Sequence, residues 1–255
     1  LSLYERAGGK HQQAMIRPQV NLAIVLRREG RLSDARNELE QALSIAQESL
    51  GINHPIIASI VDGLGTVLLE AGDMAGAENY YKRALEIAER SFGPAHPILA
   101  TYLTNLGTAL KRHEDLGRAQ YYLERALVIA QTNQGPDHYR VAAVLHQLGI
   151  ILAQRGDLES ARATFERTLK IHETALGLEH PEVATDLDSL GLVLADLGQL
   201  EIAREHHERA VIGLGRADGG QAAGDRAQRR GPRAVDLAAA VRGRLGRLGE
   251  DLHPS

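Results

Sequence analysis

The stretch His54-Pro55-Ile56-Ile57-Ala58-Ser59-Ile60-Val61-Asp62-Gly63-Leu64-Gly65-Thr66-Val67-Leu68-Leu69-Glu70-Ala71-Gly72 contains a complete helix with both of its ends. Ile56, Ile57, Ile60, Val61, Leu64, Val67, Leu68 and Ala71 follow the three-and-four spacing that puts apolar side chains on one helical stripe. Pro55 suits the first helical position, where a missing N–H leaves nothing unsatisfied, and Gly72 suits the left-handed residue that ends a helix. A second amphipathic series follows at once through Met74, Ala77, Tyr81, Ala84, Leu85, Ala88 and Phe92, and stops at Gly93-Pro94. The segment therefore predicts a helical hairpin.

That hairpin recurs. His54-Pro55, His96-Pro97, His138-Tyr139 and His180-Pro181 are spaced by 42 residues. Leu64-Gly65, Leu106-Gly107, Leu148-Gly149 and Leu190-Gly191 keep the same register, as do Ala77, Ala119, Ala161 and Ala203. An earlier copy supplies Leu22-Ala23, Gly30, Ala35 and Ala42. One hairpin cannot bury its apolar face alone, whereas stacking on the next copy completes a continuous core. The small residues let backbones approach: Gly107 on a first helix and Ala119 on a second are expected to lie close together. The expected architecture is all-α, a solenoid of about five helical hairpins.

Leu64, Gly65, Gly72, Ala77, Tyr81 and Ala84 match the tetratricopeptide pattern. The chain resembles that family in its 42-residue, kinesin-light-chain-like variety, on linkers such as Leu50-Gly51-Ile52-Asn53-His54-Pro55. The resemblance covers about residues 12–212 and implies a right-handed α-α superhelix, with copies at 12–53, 54–95, 96–137, 138–179 and 180–212. Three residues depart from the pattern. Glu114 stands where Gly72, Gly156 and Gly198 end the first helix, Thr168 replaces a small Ala, and His207 takes the place of Tyr81 and Phe165.

Both ends differ from the array. Leu3-Tyr4-Glu5-Arg6-Ala7 is similar to Tyr80-Tyr81-Lys82-Arg83-Ala84, so residues 1–11 are expected to be the degenerate second helix of a preceding unit. With a first residue other than Met, this suggests a piece of a longer chain, and a sensor or autoinhibitory array of a larger bacterial signalling protein, such as a nucleotide-switch ATPase, is an alternative function. Residues 213–255 are Gly/Arg/Ala-rich, with eight Arg, no Lys and five acids. They read as a flexible tail or decayed last repeat, with a basic arm or an altered reading frame as the alternatives. If this segment leaves the last hairpin uncapped, self-association through the solenoid ends is expected.

Composition removes several functions. Hydrophobic residues make up 44% of the chain and aromatics only 4%, the mix of stacked helices rather than of a sandwich or barrel. Without cysteine there is no disulfide framework, thiolate zinc site or cysteine nucleophile. The absence of a long apolar run argues against a membrane span, and a cytoplasmic location is the default expectation. A net charge of -4 gives no field to attract nucleic acid.

No residues point to catalysis or to a cofactor. The phosphate-loop pattern is missing, Gly8-Gly9-Lys10-His11 lacks its spacing and hydroxyl, and His206-His207-Glu208 is not the arrangement of a zinc protease. His54, His96, His138 and His180 belong to successive copies and are expected to serve as turn residues rather than metal ligands. Tyr80-Tyr81 and Tyr121-Tyr122 are expected in the core.

The expected function is therefore a non-catalytic scaffold that binds a peptide or helix. In the family that this chain resembles, the concave groove is lined by the first helices, and the matching positions here are Asn21, Gly63, Asn105, Gln147 and Ser189. An amide at such a place both donates to and accepts from a peptide backbone. Arg27, Arg28, Lys111 and Arg112 add positive charge toward the first half, and Asp188 and Asp196 negative charge toward the fifth copy, a polarity that would orient an extended ligand.

Overall fold

The computed structural model describes residues 3–222, with side chains from 12 to 214. These residues form ten helices and no strand: α1 (Leu3–Arg28), α2 (Leu32–Leu50), α3 (Pro55–Glu70), α4 (Met74–Phe92), α5 (Ile98–Arg112), α6 (Leu116–Gln134), α7 (Tyr139–Gln154), α8 (Leu158–Leu176), α9 (Pro181–Asp196) and α10 (Leu200–Ala222). The described residues divide into two compact units, one up to residue 133 and one from residue 134.

In the first unit α1 pairs with α2 and α3 with α4, each hairpin stacks on the next through α2 against α3 and α4 against α5, and α3 also touches α1 and α5. Its core is built from Leu64, Leu99, Leu103, Leu106, Leu110 and Leu123, all fully buried. The second unit repeats the scheme, with α7 on α8, α9 on α10 and α8 on α9. Phe165, Val183, Leu187, Leu190, Val193 and Leu214 fill its core.

Helix ends follow local chemistry. The linker histidines are caps: the Nδ1 of His54, His96, His138 and His180 accepts the N–H of Ile56, Ile98, Arg140 and Glu182, satisfying a donor that the first turn leaves open. Pro55 and Pro181 begin α3 and α9, and Pro97 already holds helical torsions just before α5. Glu114 adopts φ 61, so this non-glycine residue takes the left-handed conformation that Gly72 and Gly156 adopt in neighbouring copies.

Close backbone approach explains the Leu-Gly pairs. A Cβ on Gly107 would sit 2.7 Å from Leu123 Cγ and 3.2 Å from the Ala119 carbonyl oxygen, and Gly191 is equally tight against the His207 ring. Thr168 is buried without loss because its hydroxyl donates to the Thr164 carbonyl.

Residues 3–11 lie in α1, which runs on to Arg28 through Gly8, Gly9 and Pro18. The 42-residue pattern stops near 212, yet α10 runs on to Ala222 and Leu214 joins the core; residues 223–255 lie outside the described part. Tyr121 is exposed rather than in the core, on the side of α6 facing a shallow depression of about 440 Å³ with Val128 and Pro94. Among the described residues no helix is long and apolar enough to cross a membrane.

Candidate functional site

The first helices of the first unit, α1, α3 and α5, are joined by polar contacts between residues one copy plus one position apart. Arg27 donates to Glu70 Oε1 at 2.6 Å, Asn105 donates its amide to Asp62 Oδ1 at 2.8 Å, and Arg112 reaches the Leu69 carbonyl at 3.4 Å. Asp62, Leu69 and Glu70 lie seven and eight residues apart, hence along one stripe of α3, and the same spacing relates Asn105 to Arg112 on α5. Three of the groove residues expected from sequence, Arg27, Asn105 and Arg112, make these contacts; Lys111 precedes Arg112 on α5, and Asn21 and Arg28 on α1 are exposed.

Burial sets its electrostatics. It pushes the Asp62 carboxyl up to about 6, partly offset by the Asn105 hydrogen bond, and pushes the Lys111 ammonium down to about 8, with Arg112 adding to the fall. Tyr102 on α5 is likewise raised to about 12 by burial, then by the charge of Asp62. Four cations, Arg27, Arg28, Lys111 and Arg112, thus stand on α1 and α5, beside two acids of α3, Asp62 and Glu70. Neither acid was anticipated as a site residue, although both occupy register positions equivalent to named ones.

In the second unit Gln147 is half-buried on α7. Asp188, expected in the groove, is 5% exposed, and its carboxylate lies 3.0 Å from the imidazole of His207, which is itself fully buried. The reason is local. His207 takes the core place of Phe165 and Tyr81 and brings a polar ring inside, against which Asp188 packs. Asp196 is exposed.

A second polar cluster escaped the sequence reading. Asp186 lies between two imidazoles, with His146 Nδ1 2.7 Å from its Oδ1 and His172 Nδ1 2.6 Å from its Oδ2. The signal was present in the register, since Asp186 replaces Ile60, Tyr102 and Val144 while His172 replaces Ala46, Ala88 and Ala130. Among the described residues no group of three or more His, Cys, Asp or Glu is arranged to hold a metal ion.

The tetratricopeptide repeat family profile matches residues 14–90, 58–132, 115–174 and 140–211. This chain is a tetratricopeptide repeat protein. The BtubC (BKLC) structure from P. vanneervenii aligns with TM-score 0.69 at 25% identity, over 90% of this chain and 96% of that one. A Podosopora anserina protein described as a kinesin light chain, with nearly identical TPR-like repeats, gives TM-score 0.67 at 21% identity, over 81% and 98%. YrrB, a TPR protein with an unusual peptide-binding site, gives TM-score 0.50 at 21% identity, over 83% and 92%. No curated protein matches the sequence. Members of the tetratricopeptide repeat family generally serve as non-catalytic protein–protein interaction scaffolds, and this one shares the kinesin-light-chain-like repeat.

Proposed function

We propose that the α1–α3–α5 face of the first unit is a docking surface for an acidic peptide or helix. The observation that carries this reading is the surplus of cations on that face. Arg28 and Arg112 are exposed there, and burial already depresses the Lys111 ammonium to about 8. A ligand carboxylate beside Lys111 would favour its charged form again, so binding and protonation would reinforce each other. Asn21 adds an exposed amide that can pair with a peptide backbone. The peptide-binding site described for YrrB, a neighbour in fold, agrees with this use of the architecture. A protein ligand is favoured over nucleic acid because the chain is net acidic, at -4, and Asp62 and Glu70 interrupt the basic face.

The test is selection from a displayed random-peptide library against the parent chain, with an Arg28→Glu, Arg112→Glu variant as counter-screen. Acidic peptides retained by the parent and lost by an equally helical variant support the reading. Equal retention by both removes it.

A further inference from the structure

Two core positions change character together in the second unit. On the second helix of each hairpin, Ala46, Ala88 and Ala130 are buried, and His172 follows in that register; on the first helix, buried Ile60, Tyr102 and Val144 are followed by Asp186. Where three earlier copies place apolar atoms, this junction places an acid against a base. Asp186 and His172 are buried, with 1% and 4% of their side chains exposed, and His146 is 12% exposed.

The chemistry of the cluster depends on its proton count. With both rings neutral, each donates one N–H to Asp186 and the cluster carries one negative charge in an apolar interior. One added proton makes it neutral overall, and a second leaves it positive. A buried group with net charge is expensive to keep out of water, so the singly protonated cluster is the favoured occupant of this site. The three residues sit on α7, α8 and α9, so the preference acts on the packing of three helices.

We infer that the His146–Asp186–His172 cluster is a proton-held joint between the fourth and fifth hairpins, tight while it retains one proton beyond two neutral rings and loosened when that proton leaves. The surrounding groups agree. Burial alone lowers the affinity of His172 for a proton, but its hydrogen bond to Asp186, the charge of Asp186 and that of Glu182 reverse this and raise the imidazole above 6.5. The groups that act on His172 are Asp186 and Glu182 of α9 and the backbone of Tyr139 on α7; His146 of α7 meets the other oxygen of Asp186, and Asp188 is engaged separately with His207 of α10. Glu173, beside His172 on α8, is held by Arg209 of α10. Because the folded value is raised, the stabilisation is fully present below about pH 6.5 and is lost as pH rises through the raised value.

The experiment uses the full chain and a His172→Ala, Asp186→Val variant, which restores the residue types of the other copies. Thermal midpoints are followed between about pH 6 and pH 8.5, together with imidazole NMR and amide exchange. The parent is expected to lose more of its midpoint across that range than the variant, with faster exchange in α8 and α9 at the alkaline end only in the parent. The His172 ring is expected to titrate above pH 6.5 and, in an Asp186→Asn chain, to fall below it. Identical pH slopes in parent and double variant, or a His172 ring already neutral at about pH 6, would overturn the joint. Should the double variant not fold, the Asp186→Asn titration alone decides, because an unchanged His172 midpoint there contradicts the inference.

Discussion

Asn105 on α5 donates its side-chain amide to Asp62 on α3 at 2.8 Å, so a residue expected to greet a ligand is already engaged by its neighbouring repeat. The hydrogen bond compensates only part of the burial of Asp62, whose carboxyl remains raised to about 6 from 3.8. A raised carboxyl destabilises the folded chain as pH climbs from about 4 to about 6, since the native state then holds a proton that the unfolded chain releases. Asp62→Asn keeps the acceptor for Asn105 and removes the charge. The variant is expected to be more stable at pH 7 by on the order of 1–3 kcal/mol, and to lack the parent's fall between pH 4 and 6 in urea titrations.

Gly107 tolerates no side chain. With Leu123 Cγ 2.7 Å and the Ala119 oxygen 3.2 Å from the place of its Cβ, α5 and α6 must separate to admit a methyl group. Gly107→Ala is expected to destabilise by about 1–3 kcal/mol, and Gly107→Leu by at least as much. An unchanged melting midpoint would contradict the packing.

The linker histidines hold their helix starts through an acceptor nitrogen. Each cap requires an unprotonated Nδ1, because a protonated ring nitrogen cannot accept the N–H of the residue two positions on. His138→Ala is expected to cost about 0.5–2 kcal/mol at pH 8, whereas His138→Asn retains an acceptor and most of the stability. Chemical denaturation of the three chains at pH 8 checks this, and an Asn variant no more stable than the Ala variant would contradict the cap.

Glu114 holds a left-handed conformation that its counterparts meet with glycine. Glu114→Gly is expected to be neutral to stabilising, by at most about 1 kcal/mol, since relief of backbone strain is set against the greater freedom of glycine in the unfolded chain. A loss of stability would show that the Glu114 side chain contributes more than its backbone costs.

The helices, their hairpin pairing and the Leu-Gly approaches were legible because each rests on a residue type repeated in several copies. Period and local chemistry therefore pointed to one answer at Pro55, Gly72, Gly107 and Ala119. Side-chain pairings between copies were harder to see. Asp188 reads as a surface acid on α9 until His207 is known to sit inside the core 3.0 Å from it. His172 and Asp186 are 14 residues apart and look ordinary singly, whereas the paired loss of Ala and of an apolar residue at two core positions carries the information. Tyr121 illustrates the converse: its neighbour Tyr122 is half-buried, and which tyrosine of the pair turns inward depends on the rotation of α6. The basic face of α1, α3 and α5 was legible as charge, but its internal ties to Asp62 and Glu70 were not, since they link residues 43 positions apart.

The most direct test of the docking surface is the affinity of the parent chain for an acidic peptide recovered from the library, measured by fluorescence anisotropy at two salt concentrations beside the Arg28→Glu, Arg112→Glu variant. Both arginines are exposed, so the variant should keep the parent's helicity. Binding that weakens at least tenfold in the variant, and that falls with salt in the parent, is the predicted result. Equal affinities for the two chains, with no dependence on salt, would place the ligand elsewhere and contradict the assignment of this face.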